Sequence, residues 1–247
     1  MLFEALVAQL LARPLQGAAD PAPPAPASCP ADMVAVEGVH HEYVQRLCTA
    51  YSAGHCWSFF PGAVALEPRA TPVRACMDRY EWPNQKGERP ESMVRFVEAE
   101  ARCAAGGKRL CTEFEWEAAC EGPLVLPFPY GSAHDPRACN VSKPWKAVSE
   151  QKLLSRDAKV RDAEAARVWQ GEPSGAFPAC VSPTGAIDLV GNVEEWVTTS
   201  RPEWPFRSSL KGGYWSKPWA GCRGTNDAHG PMFRFYEVGF RCCKDPG

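Results

Sequence analysis

The sequence predicts an α+β domain, rich in loops and stapled by disulfides, and three observations carry that prediction. Twelve cysteines are spread from Cys29 to Cys243 without a Cys-x-x-Cys pair. Structural zinc sites favour such pairs, so the spacing points to disulfides made in an oxidising compartment, periplasmic or extracellular. Two helical signals follow one another between residues 94 and 120. The final third is rich in glycine, aromatics and short strand-like runs. The chain has 247 residues, enough for a real core, with 45% hydrophobic and 23% charged residues. A formal net charge of -2 gives no field that favours nucleic acid or an anionic membrane as partner.

In chain order, residues 1–32 read as a signal-like segment and linker. Met1 to Ala12 is apolar but has no basic residue before it and is interrupted by Glu4. It is too short to span a bilayer, and no later segment qualifies. Asp20 to Ser28 is a Pro/Ala-rich, polyproline-like linker. The folded domain is expected over 33–247. It starts with a strand at Met33-Val34-Ala35-Val36, closed by Glu37-Gly38. His40 to Arg69 has no clean period and reads as an insertion pinned by Cys48 and Cys56. Cys76 to Glu81 is the next strand, ended by Trp82-Pro83-Asn84. Val94 to Ala105 is a helix with Val94, Val97, Ala101 and Ala104 on one face, stopped by Gly106-Gly107. Thr112-Glu113-Phe114-Glu115 is a capping box that opens a second helix from Glu113 to about Cys120. Pro123 to Cys180 turns irregular. Within it Ser149 to Trp169 could be a solvated helix, with Leu153, Val160 and Val168 too sparse for a core face.

Four pieces near the C-terminus carry a resemblance. They are Gly191-Asn192-Val193-Glu194-Glu195-Trp196, Lys211-Gly212-Gly213-Tyr214-Trp215, Cys222-Arg223 and Gly239-Phe240-Arg241-Cys242. Together with Gly107-Lys108-Arg109-Leu110-Cys111-Thr112-Glu113, their order resembles the formylglycine-generating enzyme (sulfatase-modifying factor) family, whose fold is a variant of the C-type lectin fold. The resemblance spans about Met33 to Cys243. It implies a copper(I) site on two thiolates after the Gly-Gly turn, where oxygen is activated to oxidise a substrate cysteine. Those two positions fall here on Lys217 and Cys222, and the serine that follows the glycine pair is Tyr214. A protonated amine offers no lone pair and repels a cation, so copper is not expected. Cys222 is then either bonded to Cys120, as the family fold implies, or a reactive thiol activated by Arg223 and Lys217. The resemblance also pairs Cys103 with Cys242. Cys111 with Cys243 and Cys139 with Cys180 are plausible further pairs.

Calcium is the expected cofactor. Asp188 and Glu195, with carbonyls of Gly191 and Val193, form a partial oxygen shell at positions that match the family's ligands. Asn140-Val141 matches the start of a second site. His40-His41-Glu42 is not expected to hold iron, and His229 beside Asp227 is a weak candidate base. Phe233, Phe235 and Tyr236 read mostly as core or sheet packing. The implied function is a calcium-stabilised binding module that lacks copper oxidase activity. A peptide or protein ligand would lie on Tyr214, Trp215, Lys217, Trp219 and Arg223. The alternative is an oxidoreductase of the formylglycine-generating type, acting on a peptide cysteine through Cys222. Oligomeric state is not legible.

Overall fold

The computed structural model describes residues 28–62, 65–66, 70–201, 203–217 and 221–247. The signal-like segment, most of the Pro/Ala-rich linker and Trp219 lie outside the described residues. Strands β1 (Met33–His41), β2 (Val44–Gln45), β3 (Cys48–Ser52), β4 (His55–Phe59), β5 (Ala65–Leu66) and β6 (Ala70–Asp78) come first. They are followed by α1 (Phe96–Ala105), β7 (Arg109–Leu110), α2 (Glu113–Glu121), α3 (Glu150–Leu153) and α4 (Ala158–Val168). The chain closes with β8 (Glu194–Thr198), β9 (Ser208–Lys211), β10 (Thr225–Asn226), β11 (Val238–Phe240) and β12 (Cys242–Lys244). One four-stranded sheet has the order β1-β6-β12-β7, a second the order β10-β9-β8-β11, and two small ribbons pair β2 with β5 and β3 with β4.

β1 runs past Gly38 because it pairs with β6 along its whole length, from Met33 opposite Asp78 to His41 opposite Ala70. Of the strand expected at Cys76–Glu81, only Cys76–Asp78 is strand, the end of a longer one that starts at Ala70. The insertion between them is a ribbon, with the Cys48–Cys56 bond tying β3 to β4. α2 begins as its letters dictate: the Thr112 hydroxyl accepts from the Glu115 N–H, and the Glu115 carboxylate accepts from the Thr112 N–H. α1 is rotated from the expected face. Phe96, Ala99 and Cys103 are its buried residues, while Ala101 and Ala104 face out. The Cys103–Cys242 bond fixes that rotation by fastening α1 to β12.

Six disulfides use all twelve cysteines: Cys29–Cys76, Cys48–Cys56, Cys103–Cys242, Cys111–Cys243, Cys120–Cys222 and Cys139–Cys180. Cys242 and Cys243 point to opposite sides of their strand and so fasten it to α1 and to the entrance of α2. The core wraps around Trp116, Trp196 and Trp215, each fully buried. α3 and α4 correct a second expectation. Leu153 and Val168 are fully buried in a cluster with Trp215 and Tyr236, while Val160 stays exposed. Two apolar residues suffice there because a large aromatic floor receives them. No described helix is long and apolar enough to cross a membrane.

Candidate functional site

Two glycine-bearing motifs meet at the centre of the last third. Gly191 sits at φ +80°, where a Cβ would lie 2.4 Å from the Asn140 carbonyl oxygen. Gly212 sits at φ +81°, where a Cβ would lie 2.3 Å from the Leu189 carbonyl oxygen. The Gly191 N–H donates to the Gly212 carbonyl at 3.0 Å, and the Trp215 N–H donates to the Asn192 carbonyl at 3.3 Å. This close crossing lays the turn of Tyr214 to Lys217 beside the start of β8. There the Lys217 ammonium donates to Glu194 Oε1 at 2.8 Å, and Asn226 Nδ2 donates to Glu194 Oε2 at 3.2 Å. The same ammonium lies 5.3 Å from the centre of the Tyr214 ring.

Glu237 completes this group. β11 pairs in parallel with β8, and the Glu194 N–H donates to the Glu237 carbonyl at 2.8 Å, so the two glutamates are neighbours across the strand pair. Glu237 is 7% exposed, and its Oε2 has no hydrogen-bond partner among the described residues. Burial first, and the nearby Glu194 carboxylate second, push its pKa up to about 8, with its own backbone N–H and Lys217 opposing. Burial, with Glu237 and Glu194 behind it, pushes the Tyr214 phenol up to about 12. Trp215 is fully buried against Trp169 and Tyr236 and serves as floor.

Cys222 and Arg223 belong to another neighbourhood. Cys222 is fully buried and bonded to Cys120 of α2. Arg223 grips both oxygens of Glu121 at 2.6 and 2.9 Å and approaches Glu117 at 3.1 Å. Glu117 also receives the Lys211 ammonium at 2.5 Å and His40 Nε2 at 2.7 Å, so His40 is a member of a charge network. The predicted surface residues therefore divide. Tyr214 and Lys217 gather around two glutamates, Trp215 is fully buried and so is not the surface residue expected, and Arg223 is committed to α2. His229 stacks on Phe233 at 3.6 Å, whereas Asp227 accepts from the Ser209 hydroxyl at 2.5 Å, so those two do not form a pair.

The calcium ligands predicted from the sequence fall into a third group. Glu195 is held by Arg241, with Nε and one terminal nitrogen each 2.7 Å from a carboxylate oxygen, and by Trp116 Nε1 at 2.8 Å. Asp188, at φ +60°, accepts from the Gly175 N–H at 2.7 Å. Glu81, fully buried, accepts from Ser174 at 2.8 Å and from Asn192 at 2.9 Å. Three buried carboxylates thus face one guanidinium. Burial, with the Gly175 N–H and Arg241 opposing and Glu195 assisting, holds Asp188 up at about 6. Burial, then Asp188 and Glu195, raise Glu81 well above its ordinary value. Asn140 Oδ1 is buried without a partner among the described residues, beside Val141. No cluster of three or more His, Cys, Asp or Glu able to hold a metal is present among the described residues. Both oxygens of Glu195 are taken by Arg241 and Trp116, so the features that suit a hard ion such as calcium are the unpartnered Asn140 Oδ1 and the excess of carboxylates over Arg241.

Sequence reasoning missed Glu194, Glu237, Glu117 and Glu81. Glu194 stands inside the Gly-Asn-Val-Glu-Glu-Trp motif, and Glu237 two positions before the Gly-Phe-Arg-Cys motif, so both were within reach. Glu117 and Glu81 carried no local signal.

The sequence profile of the Sulfatase-modifying factor enzyme 1-like domain matches residues 39–246. The hercynine oxygenase of Mycolicibacterium smegmatis is 36% identical over 123 residues, covering 48% of this chain and 24% of that protein. The inactive C-alpha-formylglycine-generating enzyme 2 of Mus musculus is 31% identical over 172 residues, covering 66% of this chain and 51% of its own length. The chain therefore spans about a quarter to a half of these curated relatives. Among solved structures, CarF superposes with a TM-score of 0.55 at 14% identity, covering 88% of this chain and 99% of CarF, which is a likeness of fold.

Proposed function

The chain belongs to the Sulfatase-modifying factor enzyme 1-like family, and we propose that within it this protein is a calcium-stabilised binding module without the family's copper-dependent oxidation. It would act in the periplasm or outside the cell and take a peptide or protein segment on the face around Tyr214 and Lys217. The observation that carries the reading is the Cys120–Cys222 bond, together with the Lys217 ammonium held by Glu194. Where the resemblance calls for two thiolates, one position holds an ammonium tied to Glu194 and the other a sulfur already spent in a disulfide. Copper(I) needs soft thiolate ligands, and neither position offers one. Six disulfides that leave no free cysteine support an oxidising compartment. That a relative carries the word inactive in its name is compatible with this reading.

Calcium, when bound, supplies positive charge to the buried carboxylates. Asp188 and Glu195 with the Gly191 and Val193 carbonyls, and Asn140 with Val141, are the residues that would hold it. Chelation is expected to lower the melting temperature of the wild type and to leave Asp188→Asn unchanged; an equal response of both would remove calcium from the proposal. The unfolded, unreduced protein is expected to show no titratable thiol, and Lys217→Cys to show one. A reactive thiol at Cys222, with oxygen consumed in the presence of a cysteine peptide, would establish the oxidoreductase reading instead.

A further inference from the structure

Resting on the reading that the Tyr214 face binds a peptide segment, we propose that this face selects a cationic group, an ammonium or guanidinium on the bound chain, with the Glu237 carboxylate as its counter-ion. Buried polar groups are almost always partnered, and a buried one left alone costs free energy. Glu237 Oε2 is such a group, among the described residues, in a side chain that is 7% exposed. Its surroundings are polar as well as apolar. Half-buried Tyr214, Ser216, Lys217, Asn226 and His229 belong to the segments around it, and the Ser216 hydroxyl is a second buried group without a partner among the described residues.

The charges decide the sign of the ligand. Two glutamates and one lysine share the cleft, and the lysine is spent on Glu194, whose other oxygen is taken by Asn226. Glu237 is the acid left over. An anionic ligand would have to draw Lys217 away from Glu194, leaving two carboxylates facing each other. A cationic ligand completes a second ion pair beside the first. The face of Tyr214 already receives one ammonium, the geometry that aromatic rings offer to cations.

Binding is then linked to a proton. The groups that face Glu237 are Glu194 and Lys217, with the phenols of Tyr214 and Tyr236 behind them, and His229 lies near Glu194 and Lys217. Since its pKa stands at about 8, Glu237 is mostly protonated at neutral pH and releases its proton as the cation docks. Affinity should rise by up to about tenfold per pH unit below that value and level off above it.

The test is selection of a random displayed-peptide library on the intact, oxidised protein. Lysine or arginine is expected to be enriched at one position, and a norleucine replacement there to weaken binding about tenfold or more. Titration calorimetry of the selected peptide in two buffers of different ionisation enthalpy should report a proton released at neutral pH. Glu237→Gln, which keeps the side chain's shape, should lose both the cation preference and the proton release while binding the norleucine peptide as the wild type does. Lys217→Met, which frees Glu194, should tighten the cationic peptide. Selection of peptides without a basic position, enrichment of acidic residues, or a preference that survives Glu237→Gln would overturn the cation proposal and leave the peptide-binding reading standing. A library that yields no binder overturns both.

Discussion

Glu117 and Glu237 lie at the same depth, 6% and 7% exposed, yet their proton affinities move in opposite directions. Burial pushes both upward. At Glu117 it is overcome by the His40 hydrogen bond and by the charges of Lys211 and Arg223, and the carboxyl falls to about 2. At Glu237 burial is reinforced by the Glu194 carboxylate, with its own backbone N–H and Lys217 opposing too weakly, and the carboxyl rises to about 8. Burial sets the size of the penalty, and the count of cations sets its sign. In the Glu117 network the carboxylates are matched by cations: Lys211, Arg223, Arg46 and His40 Nε2 are all spent on Glu117 and Glu121, and His40 Nδ1 is its one buried atom without a partner among the described residues. The network joins α2 to β9 and to the Cys222 loop, with no carboxylate left without a cation. The Glu237 group has one cation, Lys217, for two glutamates, and it is this deficit that the proposed cationic ligand would fill.

The largest expected effect breaks the matched side. Glu117→Gln strands a Lys211 ammonium whose side chain is 2% exposed, which should cost about 3–5 kcal/mol. Chemical denaturation reads this loss, and Glu237→Gln should show none of it at neutral pH. A Glu117→Gln/Lys211→Met double variant should recover much of the loss, because it removes the stranded charge with its partner. Equal losses for Glu117→Gln and Glu237→Gln would mean that the two clefts do not differ in compensation.

The next effect lies in pH dependence. Glu117 has a depressed pKa, so its stabilisation is present above its unfolded value of about 4.5 and lost as pH falls toward about 2. Glu237 is raised, so its contribution is most favourable below about 4.5, declines as pH climbs to about 8, and is flat beyond. Within that window the slope approaches about 1.4 kcal/mol per pH unit. Asp188 adds to it between 3.8 and about 6. Unfolding free energies measured across the range should therefore decline toward pH 8 in the wild type. Glu237→Gln should flatten the upper part of that decline. A wild-type curve with no slope between about 6 and 8 would mean that Glu237 already has a counter-charge.

The contrast also separates what was legible in the letters from what was not. Local chemistry was legible. The Thr112–Glu115 capping box, the Gly106-Gly107 stop and the twelve cysteines read as disulfides depend on residues a few positions apart or on composition. The resemblance supplied the Cys103–Cys242 and Cys120–Cys222 pairs. The buried face of α1 was misread because a bond to Cys242, 139 positions away, fixes the helix rotation. Leu153 and Val168 looked too sparse because the surface that receives them, Trp215 and Tyr236, comes from another part of the chain. The charge clusters failed for the same reason. Glu117 meets His40 at a separation of 77 residues and Lys211 at 94, and no local pattern encodes such meetings. Glu194 was passed over because only Glu195 of the Glu194-Glu195 pair had a role in the resemblance, and Glu237 because it stands just outside the Gly239-Phe240-Arg241-Cys242 motif.

The smallest effect sharpens the comparison at the position that departs from the family pattern. Lys217 is 26% exposed in its side chain, and its pair with Glu194 is backed by Asn226. Replacing it by Met should therefore change stability by about 1 kcal/mol or less at neutral pH. Its charge, though, is one of the influences that restrain Glu237. Without it the cleft holds two carboxylates and no cation, so the Glu237 midpoint should move further upward, away from that of Glu117. The carboxyl resonance of Glu237, followed by carbon-detected NMR through a pH titration, reads this midpoint directly. An upward displacement in Lys217→Met with little loss of stability would show that the lysine governs the proton affinity of the cleft more than it holds the fold. An unchanged midpoint would mean that Lys217 and Glu237 do not sense each other, and the cleft's charge would have to be assigned to Glu194 alone.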